Sequence, residues 1–555
     1  MPSPNAATPL YFDAFTRFGP KPGQHAAQPW TLTELVAEMR HCSISGALVT
    51  STATTLYDAM FENHRLCEAL APYDNLFPIW NVFPHWTGEC PSPDNLIAEL
   101  RQTGVGAVTL APKTNGWELN ARSSEPLLAA LQQARIPAIL DCRTEIEPPG
   151  LEQLLVRFPN LPVVLIGMSW SRQRCVVPLL LHHRNLHVAF DHFQINRGIE
   201  WLVAQGCADQ LVYASNAVDM SMGAHRAFID YAEVPEAVKA QIAGGNLIRL
   251  LKGVRPPRLC INGDEDALMA AARRGEPMPA RVIDMHAHVL DEGLNGGGGS
   301  YTMQAGGPQG LKGLAARMGV KGIGLMSWNG TVGVHADAGN TCVRAALDAD
   351  PGLFWGLATF DVVHESPDTL VRSLETVFAD PRFLGLKPYP HYGRHYDHPA
   401  YEPLWTFGNT RGLYALLHPC RDDLSEFDAL CPRYPNLTFV VAHCGGSYKA
   451  AELAIAKSRC HPNLLIEITL TPVCLGVIDY LVRGAGADRV VYGSDQPMRD
   501  PRQQMGWVVY SRLPVADKIR VLGANAQALL TRIRSGRVMP AATGVAEAET
   551  ERPSP

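Results

Sequence analysis

RFPNLPVVLIG, residues 157–167, and RYPNLTFVVAH, residues 433–443, are two versions of one string, a turn followed by an uninterrupted apolar run. The correspondence extends outward in both directions. GALVTS at 46–51 returns as GIGLMS at 322–327, DQLVYASN at 209–216 as DRVVYGSD at 488–495, and GGNLIRLL at 244–251 as GANAQALL at 523–530. Position 433 follows 157 by 276 residues and position 488 follows 209 by 279, so the offset is nearly constant. A repeat this long is a domain-sized unit rather than a solenoid module, and the chain reads as a tandem duplication. Within each copy, β-branched runs such as VVLI, TFVVAH and RVVYGS alternate with helical stretches such as PDTLVRSLETVFA and SYKAAELAIAK. Continuous apolar strands separated by helices imply a parallel sheet covered on both faces. A unit of about 250 residues built this way is most economically a (β/α)8 barrel, a TIM-barrel-like domain. An open doubly wound sheet is the alternative, but no GxGxxG follows a strand to recommend it.

The expected organisation is therefore a first barrel over 1–252, a connector over 253–280 containing RPP and GDEDA, a second barrel over 281–535, and a tail over 536–555 rich in Pro, Ala and Glu and expected to be disordered. A net charge of -6 supplies no basic stripe, which argues against nucleic acid as a partner. No apolar run approaches the length of a membrane span, and MPSPNAATPLYFDAF lacks the charged and apolar regions of a secretory leader. Thirteen cysteines without a CxxC pair suit buried thiols in a reducing compartment, and the expected location is the cytoplasm.

Chemistry concentrates in the second copy. VIDMHAHVL at 282–290 is an apolar strand ending in Asp284, His286 and His288. Residues two apart on a strand face one side, so both histidines can grip a single ion, although two ordinary histidines at a strand end would look the same. Three more strand ends carry suitable groups: LYALLHPC places His418, FVVAHCGG places His443, and VVYGSDQP places Asp495. The C-terminal ends of barrel strands are where such folds assemble their active sites. A metal held by imidazoles and a carboxylate lowers the pKa of a bound water towards neutrality, and His443 suits the exchange of its proton. Asp495 either ligates or orients that water.

These motifs, with NTCVRAALDADPGLFWGLATF and GLKPYP, resemble the amidohydrolase superfamily over essentially all of 281–534, and within it the amidohydrolase-2 (aminocarboxymuconate semialdehyde decarboxylase-like) branch. The resemblance implies a distorted (β/α)8 barrel and one divalent metal, usually zinc, with manganese or iron as alternatives. It assigns His286, His288, His418 and Asp495 as metal ligands and His443 as the acid/base. Lys387 stands where other branches carry a carboxylated lysine bridging two metals; the mononuclear resemblance leaves it instead for an anionic substrate group or a core carboxylate. Trp328, His391, Tyr392, Arg394 and His395 follow predicted strands and are candidate substrate contacts, and the glycine-rich stretch 295–307 is a candidate lid.

The function expected is metal-dependent hydrolysis of an amide, ester or lactone in a small carboxylated or cyclic substrate. Non-oxidative decarboxylation or hydration of a small carboxylic acid is the alternative, and a metal-stabilised scaffold without turnover is the third reading.

In the first copy the corresponding positions are Phe15, Arg17, Asp141, Gly167 and Asn216, so its catalyst is lost. That copy is expected to serve as an intrachain pseudo-dimer partner, with further homo-oligomerisation open. A second reading has Arg17 or Arg143 reaching across to the working site.

Overall fold

The computed structural model describes residues 9–291, 302–470 and 472–536. The tail from 537 and residues 292–301, which include 295–301 of the candidate lid, lie outside them. Two eight-stranded parallel sheets follow one another, each with its strands in sequence order. The first runs β1 (Phe12–Phe18), β2 (Gly46–Ser51), β3 (Leu76–Asn81), β4 (Ala107–Thr109), β5 (Ala138–Asp141), β6 (Val163–Ile166), β7 (Leu186–Ala189) and β8 (Leu211–Val212). The second runs β9 (Val282–Val289), β10 (Val320–Ser327), β11 (Phe354–Ala358), β12 (Phe383–Leu386), β13 (Tyr414–Leu417), β14 (Thr438–Val441), β15 (Leu464–Glu467) and β16 (Val490–Val491). Helices separate the strands throughout, giving two tandem (β/α)8 barrels.

Closure of each barrel is a matter of a few bonds. Met285 N donates to Tyr492 O at 3.0 Å and Asp495 N to His286 O at 2.7 Å, joining the last strand to the first. Asp284 locks the seam: its Oδ1 accepts from Ser494 N (3.0 Å) and its Oδ2 from Gln496 Nε2 (3.0 Å). Asp13 and Ser215 make the same clamp in the first barrel, which explains why the first Asp of DMHAH survives in a copy that lost both histidines. Register shifts between Asp284 and Ala287, and between Asp13 and Thr16, put one bulge in each first strand. A bulge re-aims side chains at a barrel rim.

The duplication reaches fine detail. A single π-helical turn occurs at Gln241–Gly245 and again at Arg520–Ala524. In each, a glycine lies against the start of the first strand: a Cβ at Gly244 would fall 2.5 Å from Leu10 O, and one at Gly523 2.1 Å from Arg281 O. That contact is why both copies of the GGN/GAN string keep their first glycine.

The barrels pack through equivalent helices, Met222–Asp230 and Pro501–Val509, every residue of which is buried. Ala227 and Gly506, at equivalent positions of the repeat, meet: a Cβ on Gly506 would stand 2.5 Å from the Ala227 Cβ. Their contact marks a pseudo-two-fold axis. Around it, Asp500 N donates to Gln194 O (2.9 Å) and Ser221 N to Val473 O (2.9 Å). Arg502 pairs with both Asp500 and Glu200. The connector is not featureless, for Ala267–Arg273 is a helix that buries Leu268, Met269, Ala271 and Ala272 against the two interface helices. Among the described residues no helix is long and apolar enough to cross a membrane.

Candidate metal centre

Four strand ends of the second barrel converge as the sequence leads one to expect. Imidazole atoms of His286 and His443 and a carboxylate oxygen of Asp495 all lie within 4.8 Å of one another. His288 joins them, its Nε2 3.1 Å from Asp495 Oδ1, while His286 Nε2 is 3.6 Å from the same oxygen. His418 stands one ring further out, its centroid 4.7 Å from that of His443. Tyr389, a residue the motifs did not single out, lies beside it at 5.4 Å.

The backbone that presents these groups is itself unusual. His443 has φ 67° and Asp495 φ 60°, in the left-handed region where glycine is commonest and Asn, Asp and His lead the residues with side chains. At the equivalent positions the first barrel has Gly167 (φ 76°) and Asn216 (φ 57°), residues suited to that conformation. The two barrels thus share this backbone at both strand ends, and in the second His443 is held there by its bond to Thr469 O and Asp495 by its bond to His286 O.

Three of the working groups, His286, His443 and Asp495, are oriented by partners outside the cluster. His286 Nδ1 is 3.2 Å from Glu467 Oε2, and Thr469 N donates to Glu467 Oε1 at 2.7 Å. His443 Nδ1 donates to Thr469 O at 2.7 Å. A carbonyl only accepts, so the neutral ring carries its proton there and presents a bare Nε2. Asp495 divides its carboxylate, with Oδ1 towards His286 and His288 and Oδ2 bound by Arg499. Burial would raise this carboxyl, but the Arg499 charge, followed by His286 and His288, holds it well below the usual carboxylate range. Burial lowers all four imidazoles, His418 to about 4. It also lowers Lys387 to about 8. Lys387 Nζ is 3.4 Å from His286 Nε2 and completely buried.

This donor set fits a divalent cation. Neutral imidazoles and an ionised carboxylate are the ligand forms a metal requires. His286 Nε2 and His288 Nε2 both face Asp495 Oδ1, at 3.6 and 3.1 Å, which brings two imidazole nitrogens and a carboxylate oxygen to one point as a metal needs. The residues that would hold the ion are His286, His288, His418 and Asp495, with His443 beside them, and this is a candidate metal site.

The other sequence-predicted residues divide. Trp328 is buried with its ring edge-on to His288, centroids 5.0 Å apart, and walls the site. His391, Arg394 and His395 line a cavity of about 400 Å³ that also touches Tyr389 and His418. Tyr392 is absent from that lining; its hydroxyl donates to Gly330 O at 2.8 Å and fastens one loop to another. Arg17 and Arg143 line the mouth of their own barrel. Glu467 and Arg499 were missed by sequence reading. The first ends an apolar run, LLIE, and the second follows Asp495 by one helical turn; only the assembled site gives either position meaning.

The Amidohydrolase family model matches the chain twice, over residues 28–253 and 283–532. No curated protein matches it. Among solved structures, it is similar to a 5-carboxyvanillate decarboxylase from Sphingomonas paucimobilis (17% identity, TM-score 0.37, 45% of this chain and 99% of that one). It is also similar to a 2,6-dihydroxybenzoate decarboxylase from Rhizobium (14% identity, TM-score 0.36, 45% and 99%). A third is a dihydroxybenzoic acid decarboxylase from Polaromonas sp. JS666 with bound manganese and 2-nitroresorcinol (16% identity, TM-score 0.35, 46% and 97%). Likeness at these values bears on neither reaction nor substrate. The double family match, covering both barrels and the converging histidines, identifies the chain as a member of the amidohydrolase family, of the amidohydrolase-2 type.

Proposed function

We propose that the second barrel is a hydrolase for an amide, ester or lactone whose substrate carries a carboxylate, using one divalent ion, zinc before manganese or iron. The observation that carries this reading is the hydrogen bond from His443 Nδ1 to Thr469 O. With its proton turned away, His443 offers Nε2 as an acceptor beside the ionised Asp495. Hydrolysis needs such an acceptor for the proton of the attacking water. Decarboxylation leaves a carbanion that needs a donor, which the neutral ring in this tautomer is not.

When bound, the ion supplies Lewis-acid polarisation of the substrate carbonyl and acidifies a water. His443 Nε2 takes the proton that the water releases and returns it to the leaving group. Arg499 keeps Asp495 ionised, and Glu467 fixes the ring of His286. Trp328 screens one side of the site from solvent. The buried cation Lys387 favours a carboxylated substrate, as does Arg394 at the mouth.

Location in the cytoplasm and the absence of nucleic-acid partners belong to the same reading. The test is a panel of small carboxylated lactones, esters, amides and aromatic acids, followed for both hydrolysis and carbon dioxide release. Hydrolytic turnover abolished by Asp495→Asn supports the proposal. Carbon dioxide release without hydrolysis overturns it in favour of the decarboxylase.

A further inference from the structure

The first barrel has lost its histidines but kept a mouth. A cavity of about 480 Å³ opens there, floored by Phe15, Leu110, Ile139 and Ile166. Three cationic side chains, Arg17, Lys21 and Arg143, line the same cavity, together with the hydroxyl residues Thr50 and Thr54. Phe15 stands where the second barrel has His286, Thr109 where it has Lys387, and Arg17 where it has His288. The replacements remove every imidazole and the buried lysine, although His418 gives way to Asp141, and they leave an apolar floor with Arg17, Lys21 and Arg143 above it.

The charges in this mouth are unevenly shared. Asp219 serves both Arg17 and Lys21. Asp141 is bound by Arg143 Nη2 at 2.9 Å. The third carboxylate, Glu145, is engaged elsewhere, by the backbone of Lys113 (3.0 Å) and Thr114 (3.2 Å) and by the Thr114 hydroxyl (2.6 Å). Asp191, buried beside His192, also acts on Arg143, so it is Arg17 and Lys21 that are left to share the single carboxylate of Asp219. Arg17 Nε is buried without a hydrogen-bond partner among the described residues, its nearest carboxylate oxygen 3.6 Å away. Lys21 is depressed by burial and then by the charge of Arg17, with Arg143 adding to the effect. A side chain at the place of His443 would have to displace the Asp141–Arg143 pair. A Cβ at Gly167, where His443 would be, would fall 2.3 Å from Asp141 Oδ1 and 2.8 Å from Arg143 Nε.

We propose that the first barrel binds, without turning it over, a small organic carboxylate with an apolar body. Its carboxylate lies against Arg17 and Lys21 and its body on the Phe15–Ile139–Ile166 floor. A guanidinium with an unspent donor and an ammonium beside it suit a carboxylate, and the apolar floor distinguishes such a ligand from a bare inorganic anion.

The probe is 4-fluorobenzoate, titrated by 19F NMR into the full chain carrying His286→Ala, so that binding at the second barrel's metal centre is removed. Saturable binding is expected, weakened about tenfold or more by Arg17→Met with Lys21→Met, which removes the charge-assisted bonds. Ala111→Phe, which fills the cavity wall while keeping the charges, is expected to block it as well. Inorganic phosphate in excess is expected not to displace the probe. In an otherwise unsubstituted background both variants should keep the metal content of the second barrel, which checks that they fold. Absence of binding, an unchanged isotherm in whichever of the two variants folds, or displacement by phosphate alone overturns the proposal. None of these outcomes depends on which reaction the second barrel performs.

Discussion

At the scale of single residues, ligation and proton transfer are assigned to different histidines, and the assignment has consequences. Replacing His443 by Asn removes the bare Nε2 and is expected to lower kcat by a factor of about 10²–10⁴ while metal content stays near one equivalent. Elemental analysis beside steady-state kinetics checks this. Loss of the metal with the activity would make His443 a ligand instead. Gly167 gives a second test in the silent barrel. Its φ of 76° and the Asp141–Arg143 pair in the space a side chain would need predict that Gly167→Ala destabilises the protein by about 1–3 kcal/mol, measurable as a lowered unfolding midpoint.

The residues legible from sequence were those whose type speaks for itself at the end of an apolar run: His286, His288, His418, His443 and Asp495. Glu467, Arg499 and Thr469 were not, because a lone carboxylate, a lone arginine and a backbone carbonyl acquire roles only from what the fold brings beside them. Tyr392 shows the opposite error. A tyrosine in a loop after a strand looks like a substrate contact, yet its hydroxyl is used in holding the loop to Gly330.

At the scale of elements, the strands were readable and the interface helices were not. Strands β6 and β14 lie where the opening strings place them, because a continuous apolar run has few other ways to be buried. MGAHRAFID and PRQQMGWVV share almost no residues, and both are buried on every side, so neither shows the one-sided pattern that marks a helix packed on a sheet. Their equivalence appears only in space, where Ala227 faces Gly506. Gly506→Leu is expected to force the pair apart at a cost of about 1–3 kcal/mol. The measurement is thermal unfolding together with hydrogen exchange, in which the helix Met222–Asp230 should lose protection. Protection unchanged from the parent protein would mean that the crossing tolerates a side chain.

At the scale of the whole molecule, the two barrels form a dimer within one chain, and part of their association is electrostatic. Glu200 of the first barrel meets Arg502 of the second, with side-chain exposures of 13% and 0%. Burial would raise the Glu200 carboxyl, but the Arg502 charge and its hydrogen bonds bring it down to about 2. A folded-state value below the unfolded one means that the pair stabilises the protein above about pH 4.5 and that this contribution fades as pH falls towards 2. Glu200→Gln is therefore expected to cost about 2 kcal/mol at pH 7, less than a full buried pair because Asp500 still holds Arg502, and progressively less below pH 4.5. Unfolding midpoints of parent and variant across that range check the convergence; a gap that widened in acid would contradict it.

The central claim is that one barrel of a duplicated pair carries a mononuclear metal site while the other has lost it. Metal content per chain, by elemental analysis on the parent protein and on His286→Ala, tests this most directly. The account predicts about one equivalent in the parent and close to none in the variant. Two equivalents, or one that survives His286→Ala, would contradict it.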